Sequence, residues 1–148
     1  MDASQPPGRV NTIDILFVCS GNLCRSPYAE AVARATFDGD RYTFSSAGTI
    51  AMTGKPCTTT MQEVAEARGF DVSSHGARAL DDVPAPDLVF GMEQEHVIAA
   101  SRAFPDLPAG SIRLLDHPRA IPDPYGHDRA TYEAASTQIE TALKALDL

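Results

Sequence analysis

The sequence predicts a single α/β domain with a mostly parallel central sheet, and three observations lead to this fold class. Short runs of branched and aromatic residues, typical of buried strands, recur along the chain. Stretches whose apolar residues repeat with helical spacing separate these runs, as expected of strand–helix–strand units. The length of 148 residues, with 43% hydrophobic and 22% charged residues, suits one globular domain. The polar, proline-bearing residues 1–11 predict a flexible tail, so the domain is assigned to residues 12–148.

The first strand and the first helix are the clearest elements. Residues 13–19, IDILFVC, form an apolar run that predicts a buried strand. From Pro27 to Phe37 the apolar residues fall on one helix face, with Ser26 as a suitable N-cap and Pro27 at the first helical position. In parallel sheets ligands bind beyond the carboxyl ends of the strands. The segment between this strand and this helix is therefore the first candidate site.

The rest of the chain continues the alternation of strands and helices. Gly69 is placed to end the second helix, and a proline-rich loop, DHPRAIPDPYGHD, separates the fourth strand from the last helix. Because this loop follows a strand, it can reach the same sheet edge as the first candidate site. The predicted bounds are strands at residues 41–47, 87–92 and 112–115, and helices at residues 58–68, 93–104 and 129–146.

Composition and charge exclude several classes of function. With 20 acidic and 12 basic residues the net charge is −8, which argues against binding to nucleic acid or to an anionic membrane surface. No apolar run is long enough for a membrane span, and residues 1–11 lack the features of a signal peptide, so a cytoplasmic location is expected. Three cysteines do not make a secreted disulfide framework, and neither a metal nor a cofactor is expected.

The segment from Cys19 to Ser26, CSGNLCRS, predicts a binding site for a tetrahedral oxyanion. The N-terminus of a helix offers unpaired N–H groups and the positive end of its dipole. Gly21 and Asn22 allow a tight turn that points further N–H groups inward, and Arg25 adds a planar fork suited to phosphate oxygens. A local cradle of this kind can bind an anion despite the acidic net charge.

Cys19 stands at the end of the predicted strand and would face this cradle. A helix N-terminus and a nearby cation favour the thiolate form of a cysteine, which is its nucleophilic form. The hydroxyl of Ser26 could donate a hydrogen bond to the sulfur and stabilise it as a leaving group. The segment therefore predicts covalent phosphoryl transfer through a cysteine.

These residues resemble the low-molecular-weight protein tyrosine phosphatases of the bacterial type, whose signature Cys-x5-Arg-Ser/Thr stands here as VCSGNLCRSP. FSSAGT, SSHGAR, DLVFGM and IPDPYG follow in the family's order, so the resemblance spans nearly the whole chain after the tail. It implies a three-layer domain with a central four-stranded parallel sheet and helices on both faces. It also implies hydrolysis of phosphotyrosine and other aryl phosphate monoesters through a phosphocysteine.

The resemblance implies a role for each residue that matches a family motif. Cys19 would be the nucleophile, and Asp123 the general acid and then the general base. Arg25 and the N–H groups of the loop would bind the phosphate, and Ser26 would tune the sulfur. The implied phosphate-binding loop comprises Ser20, Gly21, Asn22, Leu23, Cys24, Arg25 and Ser26, and the implied network that supports it comprises Asn22, Ser26, Ser46 and His75.

Asp123 also has a rationale that is independent of the resemblance. A phenolate leaving group, whose parent pKa is about 10, needs a proton donor at neutral pH. A carboxyl on a loop at the strand ends can supply that proton and then activate water, with Pro122 and Pro124 stiffening its flanks. Asp116 and Asp128 are the neighbouring carboxylates with which it could be confused.

Apolar residues near the loop predict the walls of an aryl pocket. Leu23 and Tyr125 stand where the resemblance implies contact with the substrate ring, and phosphoarginine-directed relatives carry Thr in place of Leu23. The opposite wall is Ile50 or Met52. Gly126 departs from the family, because many relatives carry a second aromatic residue there. The implied substrate is a phosphotyrosine protein, with a tyrosine autokinase as one candidate.

The remaining cysteines and charged residues carry weaker predictions. The resemblance implies that Cys24 can form a reversible disulfide with Cys19 and so protect the nucleophile, although a small buried residue packing the first helix is the alternative. Cys57 is predicted to be structural. The residues expected on exposed faces are Asp81, Asp82, Glu93, Glu95, His96, His117 and His127, with Glu93 at a strand end near the site.

Three alternatives remain at this point. An arsenate reductase of the same fold is the main one, but its thioredoxin-linked type needs a further cysteine pair, and residues 76–148 contain no cysteine. A zinc protein would need two ligands beyond Cys19 and Cys24 in a paired arrangement. A catalytically silent phosphate-binding module is opposed by the intact Cys, Arg, Ser and candidate acid.

Overall fold

A computed structural model describes residues 12–148 of the chain. The predicted tail at residues 1–11 lies outside the described residues, so its boundary stays a prediction. The elements are β1 (Ile13–Cys19), α1 (Arg25–Thr36), β2 (Tyr42–Gly48), α2 (Thr59–Ala67), β3 (Leu88–Gly91), α3 (Gln94–Ala103), β4 (Ile112–Leu114) and α4 (Arg129–Lys144), with a 3-10 turn at Leu80–Asp82. Every strand and helix predicted from the sequence is present. Within residues 12–148, no helix combines the length and the apolar character that crossing a membrane requires.

The four strands form one parallel sheet in the order β2-β1-β3-β4, which confirms the predicted α/β fold. β1 is a central strand that pairs with β2 along its whole length and with β3 over the four residues from Ile15 to Val18. The carboxyl ends of the strands meet at one edge, where Cys19 is paired with Gly48. The loop that leaves β1 therefore lies at the middle of the edge where ligands of such sheets bind.

Alternate side chains of β1 pack into two separate cores, one on each face of the sheet. Phe17 belongs to the larger core, which α1, α2 and α4 cover, and its ring stacks between Phe44 and Phe90 with centroid distances of 6.1 and 6.0 Å. Val18 belongs to the smaller core under α3 and the 3-10 turn. This period of two is expected of a strand buried on both faces, and it produces the three-layer arrangement.

The start of α1 differs from the prediction. The helix begins at Arg25, and its N-cap Cys24 makes no side-chain capping hydrogen bond. The prediction that Ser26 is the N-cap is wrong, because the Ser26 hydroxyl lies inside the helix and contacts Cys19 and Asn22 instead. The first N–H groups of α1 therefore face the loop without competition from a capping side chain.

Candidate active site

The loop between β1 and α1 is held in an uncommon backbone conformation by the side chain of Asn22. Asn22 has a φ of 57°, in the left-handed region that Asn tolerates better than most residues. Its buried amide group accepts a hydrogen bond from the backbone N–H of Arg78 at 2.9 Å and donates one to Ser26 Oγ at 2.8 Å. Asn22 thus ties the loop both to the chain after β2 and to the first turn of α1.

The other residues predicted to support the loop are placed differently from one another. The ring of His75 lies with Nε2 at 2.7 Å from the backbone carbonyl of Asn22, so it contacts the loop directly. Ser46 does not, because its hydroxyl donates to Glu30 at 2.7 Å. Asn22, Ser26 and His75 therefore lie together at the loop. Ser46 is linked to the loop indirectly, because its carbonyl makes a weak contact, at 3.4 Å, with the side chain of Arg78.

Gly48 allows β2 to approach the loop closely. A Cβ atom at this position would lie 2.5 Å from the carbonyl oxygen of Ser20 and 2.9 Å from the backbone nitrogen of Asn22. Both contacts are with backbone atoms of the loop, which cannot move aside without changing the loop itself. The small residue at position 48 is therefore a condition for the loop's shape.

Replacing Gly48 by alanine is expected to distort the loop and to lower both stability and turnover. Overpacking of this kind costs about 1–3 kcal/mol in the free energy of unfolding, and displaced phosphate-binding groups should lower kcat roughly tenfold or more. Chemical denaturation and steady-state assays measure the two effects. Gly39→Ala is the matched control, since a Cβ at Gly39 meets no atom within 4 Å. Equal behaviour of the two variants would contradict the role given to Gly48.

The sulfur of Cys19 is in hydrogen-bond contact with Ser26, and the hydroxyl is the donor when the sulfur is a thiolate, which can only accept. Cys19 Sγ lies 2.9 Å from Ser26 Oγ. Asn22 Nδ2 donates to one lone pair of this Oγ, so the hydroxyl proton is available for an acceptor, and the sulfur at 2.9 Å is nearer than the Ala47 carbonyl at 3.5 Å. A donor aimed at the sulfur stabilises negative charge there, both before attack and when the sulfur leaves.

Arg25 is buried with a relative exposure of only 1%, and carboxylates hold part of its guanidinium group. Nη1 donates to Glu93 Oε1 at 2.5 Å and to the backbone carbonyl of Ile121 at 2.7 Å, and Nη2 lies 3.5 Å from Asp123 Oδ2. Nε has no hydrogen-bond partner among the described residues. A buried N–H donor without a partner is costly, so this atom indicates where an acceptor oxygen would bind.

A cleft of about 220 Å³ opens over the loop and is lined by the predicted catalytic and pocket-wall residues. Its lining is formed by Cys19, Ser20, Gly21, Leu23, Cys24, Arg25, Ile50, Met52, Lys55, Asp123 and Tyr125. Both candidates for the opposite wall, Ile50 and Met52, line the cleft, with exposures of 76% and 68%, and Tyr125 is 54% exposed. Lys55 is a lining residue that the sequence did not single out. The rim is therefore apolar and accessible, while the floor is polar.

Asp123 lies at the mouth of the cleft with its side chain 44% exposed. One carboxylate oxygen accepts a hydrogen bond from the backbone N–H of Tyr125 at 3.1 Å, and the other faces Arg25. The neighbouring carboxylates have other partners, since Asp116 accepts from Gln138 at 2.8 Å and Asp128 caps α4 by accepting from the Thr131 N–H at 3.0 Å. Of the three, Asp123 is the carboxylate that lines the cleft.

The two other cysteines are buried thiols. Burial raises the pKa of Cys24 to about 11, although hydrogen bonds with Thr58 and Tyr132 act in the opposite direction. Burial also raises the pKa of Cys57 to about 12. Both groups are protonated at neutral pH, so neither competes with Cys19 as a nucleophile. All three cysteines are free.

Glu93, in the turn between β3 and α3, and His96, in the first turn of α3, are closer to the site than the sequence suggested. The prediction that His96 is solvated is wrong, because its ring is fully buried and its Nε2 lies 2.9 Å from Ser20 Oγ. Glu93 is only partly exposed and pairs with Arg25. Glu93 and His96 are the N-cap and N3 residues of a capping box at the start of α3, but the pair departs from the Ser/Thr-x-x-Glu/Gln pattern that marks such a box in a sequence. His117 and His127 are exposed, as predicted.

Glu93 and the first turn of α3 form the one group of described residues whose potential metal-ligand atoms cluster, namely Glu93, Glu95 and His96 within 4.8 Å of one another. Both ring nitrogens of His96 already make hydrogen bonds, to the backbone N–H of Glu93 and to Ser20. Glu93 is engaged by Arg25. The cluster is therefore explained by hydrogen bonding within the protein.

A parallel sheet with a cysteine and a buried arginine on the loop after a central strand fits a cysteine-dependent phosphatase site. A family model described as low molecular weight phosphotyrosine protein phosphatase matches residues 14–147. The Wzb protein-tyrosine-phosphatase of Salmonella typhimurium is 34% identical over 135 residues, covering 88% of this chain and 89% of the relative. The solved structure of Vibrio vulnificus Wzb in complex with benzylphosphonate matches with a TM-score of 0.80 and 29% identity, covering 91% of this chain and 97% of that one. Wzb from Escherichia coli K30 in complex with sulphate matches with a TM-score of 0.79 and 28% identity, covering 90% and 95%.

The chain belongs to the low molecular weight phosphotyrosine protein phosphatase family. This confirms the resemblance drawn from the motifs, the fold and the class of enzyme, a protein-tyrosine-phosphatase. The named relatives are phosphatases, and the alternative of an arsenate reductase gains no support from them.

Proposed function

We propose that the protein hydrolyses phosphotyrosine and other aryl phosphate monoesters through a phosphocysteine formed on Cys19. The observation that carries this proposal is the pairing of two buried groups in one cleft, a sulfur contacted by a hydroxyl and a guanidinium with an unpartnered N–H. The benzylphosphonate and sulphate held by the two Wzb relatives support an oxyanion in this cleft.

In the first step the phosphoryl dianion binds to the N–H groups of the loop and to Arg25. The Cys19 thiolate attacks phosphorus in line, and an S–P bond forms as the bond between phosphorus and the aryl oxygen breaks. Its electron pair goes to that oxygen, which takes the proton of Asp123. Arg25 and the loop stabilise the charge on the equatorial oxygens in the transition state.

In the second step Asp123, now a carboxylate, accepts a proton from water as the water oxygen attacks phosphorus. The S–P bond breaks and its electron pair returns to the sulfur, which the Ser26 hydroxyl stabilises at 2.9 Å. Inorganic phosphate is released. Asn22 and His75 act by holding the loop in shape rather than by touching the phosphoryl group.

The shape of the cleft supports an aryl substrate. Leu23, Ile50, Met52 and Tyr125 surround the entrance with apolar side chains, and the sulfur lies on the floor. A phenyl ring between these walls places the phosphoryl group at the loop, whereas the short side chain of phosphoserine leaves the walls unfilled. The exposed rim is open to a phosphotyrosine on a folded protein, such as a tyrosine autokinase, in the cytoplasm.

Comparison of one peptide phosphorylated on tyrosine, on serine or on arginine tests the proposal. Burial of an aromatic side chain contributes about 1.5–3 kcal/mol. The value of kcat/KM should therefore be roughly 10- to 100-fold higher for the phosphotyrosine peptide than for the phosphoserine peptide. The unphosphorylated peptide serves as the control for product binding. Equal kcat/KM values for phosphotyrosine and phosphoserine would contradict the assignment of the cleft walls.

Cys24 is proposed to form a disulfide with Cys19 under oxidation and so to spare the nucleophile from irreversible oxidation. Both residues line the cleft, and Cys24 is protonated at neutral pH because burial raises its pKa to about 11. Attack on an oxidised Cys19 therefore requires that the Cys24 thiol first lose its proton. Mass spectrometry of peroxide-treated protein without reductant should show this disulfide, and its absence would leave Cys24 as a packing residue.

A further inference from the structure

The start of α3 reaches the first residue of the phosphate-binding loop through the ring of His96. His96 Nδ1 accepts a hydrogen bond from the backbone N–H of Glu93 at 3.0 Å, and Nε2 lies 2.9 Å from Ser20 Oγ. The ring is completely buried. Ser20 directly follows the nucleophile, so the contact is made at the point where the loop leaves β1.

The backbone fixes which nitrogen of the ring carries the proton. A peptide N–H can only donate, so the Glu93 N–H requires a lone pair on Nδ1. In a neutral ring the proton is then on Nε2, and Ser20 Oγ accepts it. The hydroxyl proton of Ser20 is left to point outward, toward Glu95 Oε1 at 3.5 Å.

The neutral state of the ring agrees with its surroundings. Burial lowers the pKa of His96, and the positive charge of Arg25 lowers it further, while Glu93, Glu95 and Asp123 act in the opposite direction. A second proton would sit on Nδ1 and point at the Glu93 N–H. Donor would then face donor in a buried position, which is unfavourable.

The position of the ring is set by close packing against β3. A Cβ added at Gly91 would lie 3.1 Å from His96 Cβ and 3.1 Å from the backbone nitrogen of Val97. The N–H of Met92 donates to the carbonyl of Val18 at 3.0 Å, which ties the turn between β3 and α3 to β1 just before the nucleophile. The ring is therefore held by the sheet that also holds Cys19.

We propose that His96 is a positioning residue, whose Nε2–H holds Ser20 and thereby orients the loop N–H groups that receive the phosphoryl group. This rests on the proposed function of the loop. His96 does not touch the substrate, and it acts through Ser20 alone. The segment after β2 holds the backbone here as well, since the N–H groups of Thr49 and Ile50 donate to the carbonyls of Cys19 and Ser20, each at 3.0 Å.

Two substitutions separate the two bonds of the ring. In His96→Asn the amide oxygen can replace Nδ1 as the acceptor for the Glu93 N–H, but the side chain is too short to reach Ser20. In His96→Gln the amide nitrogen can replace Nε2 as the donor to Ser20. Ser20→Ala removes the other partner of the bond, and Ser101→Ala, on the exposed side of α3, is the control for a change in the same helix.

We expect His96→Asn and Ser20→Ala each to lower kcat on p-nitrophenyl phosphate about tenfold. Each should also raise the inhibition constant of inorganic phosphate about tenfold. Losses of this size are within the range that a misplaced catalytic group can cause. The double variant should be no worse than either single one, and His96→Gln should recover most of the activity. Additive losses in the double variant, or equal losses for Asn and Gln, would overturn the proposal.

A measurement that needs no activity separates this proposal from the proposed function. Nitrogen-15 spectra of histidine-labelled protein report the tautomer of each ring, and His96 should show the neutral form protonated on Nε2 at neutral pH. A proton on Nδ1 would overturn the proposal even in an active enzyme. Conversely, a protein that shows the expected tautomer but has no phosphatase activity would refute the proposed function.

Discussion

Replacing Cys19 by serine is expected to abolish turnover of aryl phosphates while leaving the binding of inorganic phosphate largely intact. The hydroxyl of serine is a much weaker nucleophile than a thiolate, and no general base is in contact with it to remove its proton. The His75 ring is engaged with the carbonyl of Asn22 and the His96 ring with Ser20. The loss should reach about 10⁵-fold or more, the scale found when a nucleophile is removed.

Steady-state assays with p-nitrophenyl phosphate measure the loss, and phosphate binding to the variant shows that the loop is still formed. Cys57→Ser is the matched control, because it exchanges the same atoms in a buried thiol outside the cleft. It should keep activity close to that of the parent protein. A Cys19→Ser variant with even a few per cent of the original turnover would contradict the phosphocysteine mechanism.

Replacing Asp123 by alanine should slow the enzyme strongly for substrates with poor leaving groups and only weakly for activated ones. Phenolate needs a proton as it departs, whereas p-nitrophenolate is stable without one. Loss of a general acid typically costs 10²- to 10⁴-fold in rate, so kcat on phenyl phosphate should fall by about that factor. The dependence of kcat on the leaving-group pKa, over a series of aryl phosphates, is the measurement.

Asp116→Asn controls for the loss of a carboxylate at a distance from the cleft, since Asp116 is bound to Gln138. It should leave the leaving-group dependence unchanged. If Asp123→Ala slows all aryl phosphates by the same factor, Asp123 is not the proton donor.

Much of the fold could be predicted because local pattern and tertiary arrangement agree. β1 is apolar along its length since it is central in the sheet and buried on both faces, and the same central place puts Cys19 at the functional edge. The cysteine, the arginine and the glycine–asparagine turn lie close together in sequence, so their chemistry was visible in one segment. The order of the strands, β2-β1-β3-β4, was not visible, because it depends on packing between distant segments.

The residues that the sequence misplaced are those whose position is decided by a hydrogen bond of the side chain. His96 is on a helix of mixed polarity, and only its contact with Ser20, 76 positions earlier, explains its burial. Ser46 was assigned to the loop, but its hydroxyl is used by Glu30 across the groove between β2 and α1. Ser26 has the chemistry of an N-cap but lies two positions after the N-cap Cys24, and its hydroxyl contacts Cys19 and Asn22 instead. The deciding hydrogen bond joins distant segments for His96 and Ser46 and lies within the loop for Ser26, and hydrophobic periodicity carries no information about any of the three.

The central place of β1 has a consequence for motion. Backbone amides of a strand paired on both sides exchange with deuterium only when the whole domain opens, so the segment before Cys19 should be among the slowest to exchange. The exposed residues around Asp123 should be among the fastest to exchange. Cys19 would thus follow one of the segments slowest to exchange, and Asp123 would lie in one of the fastest. The phosphate-binding loop can then stay rigid while the proton donor moves.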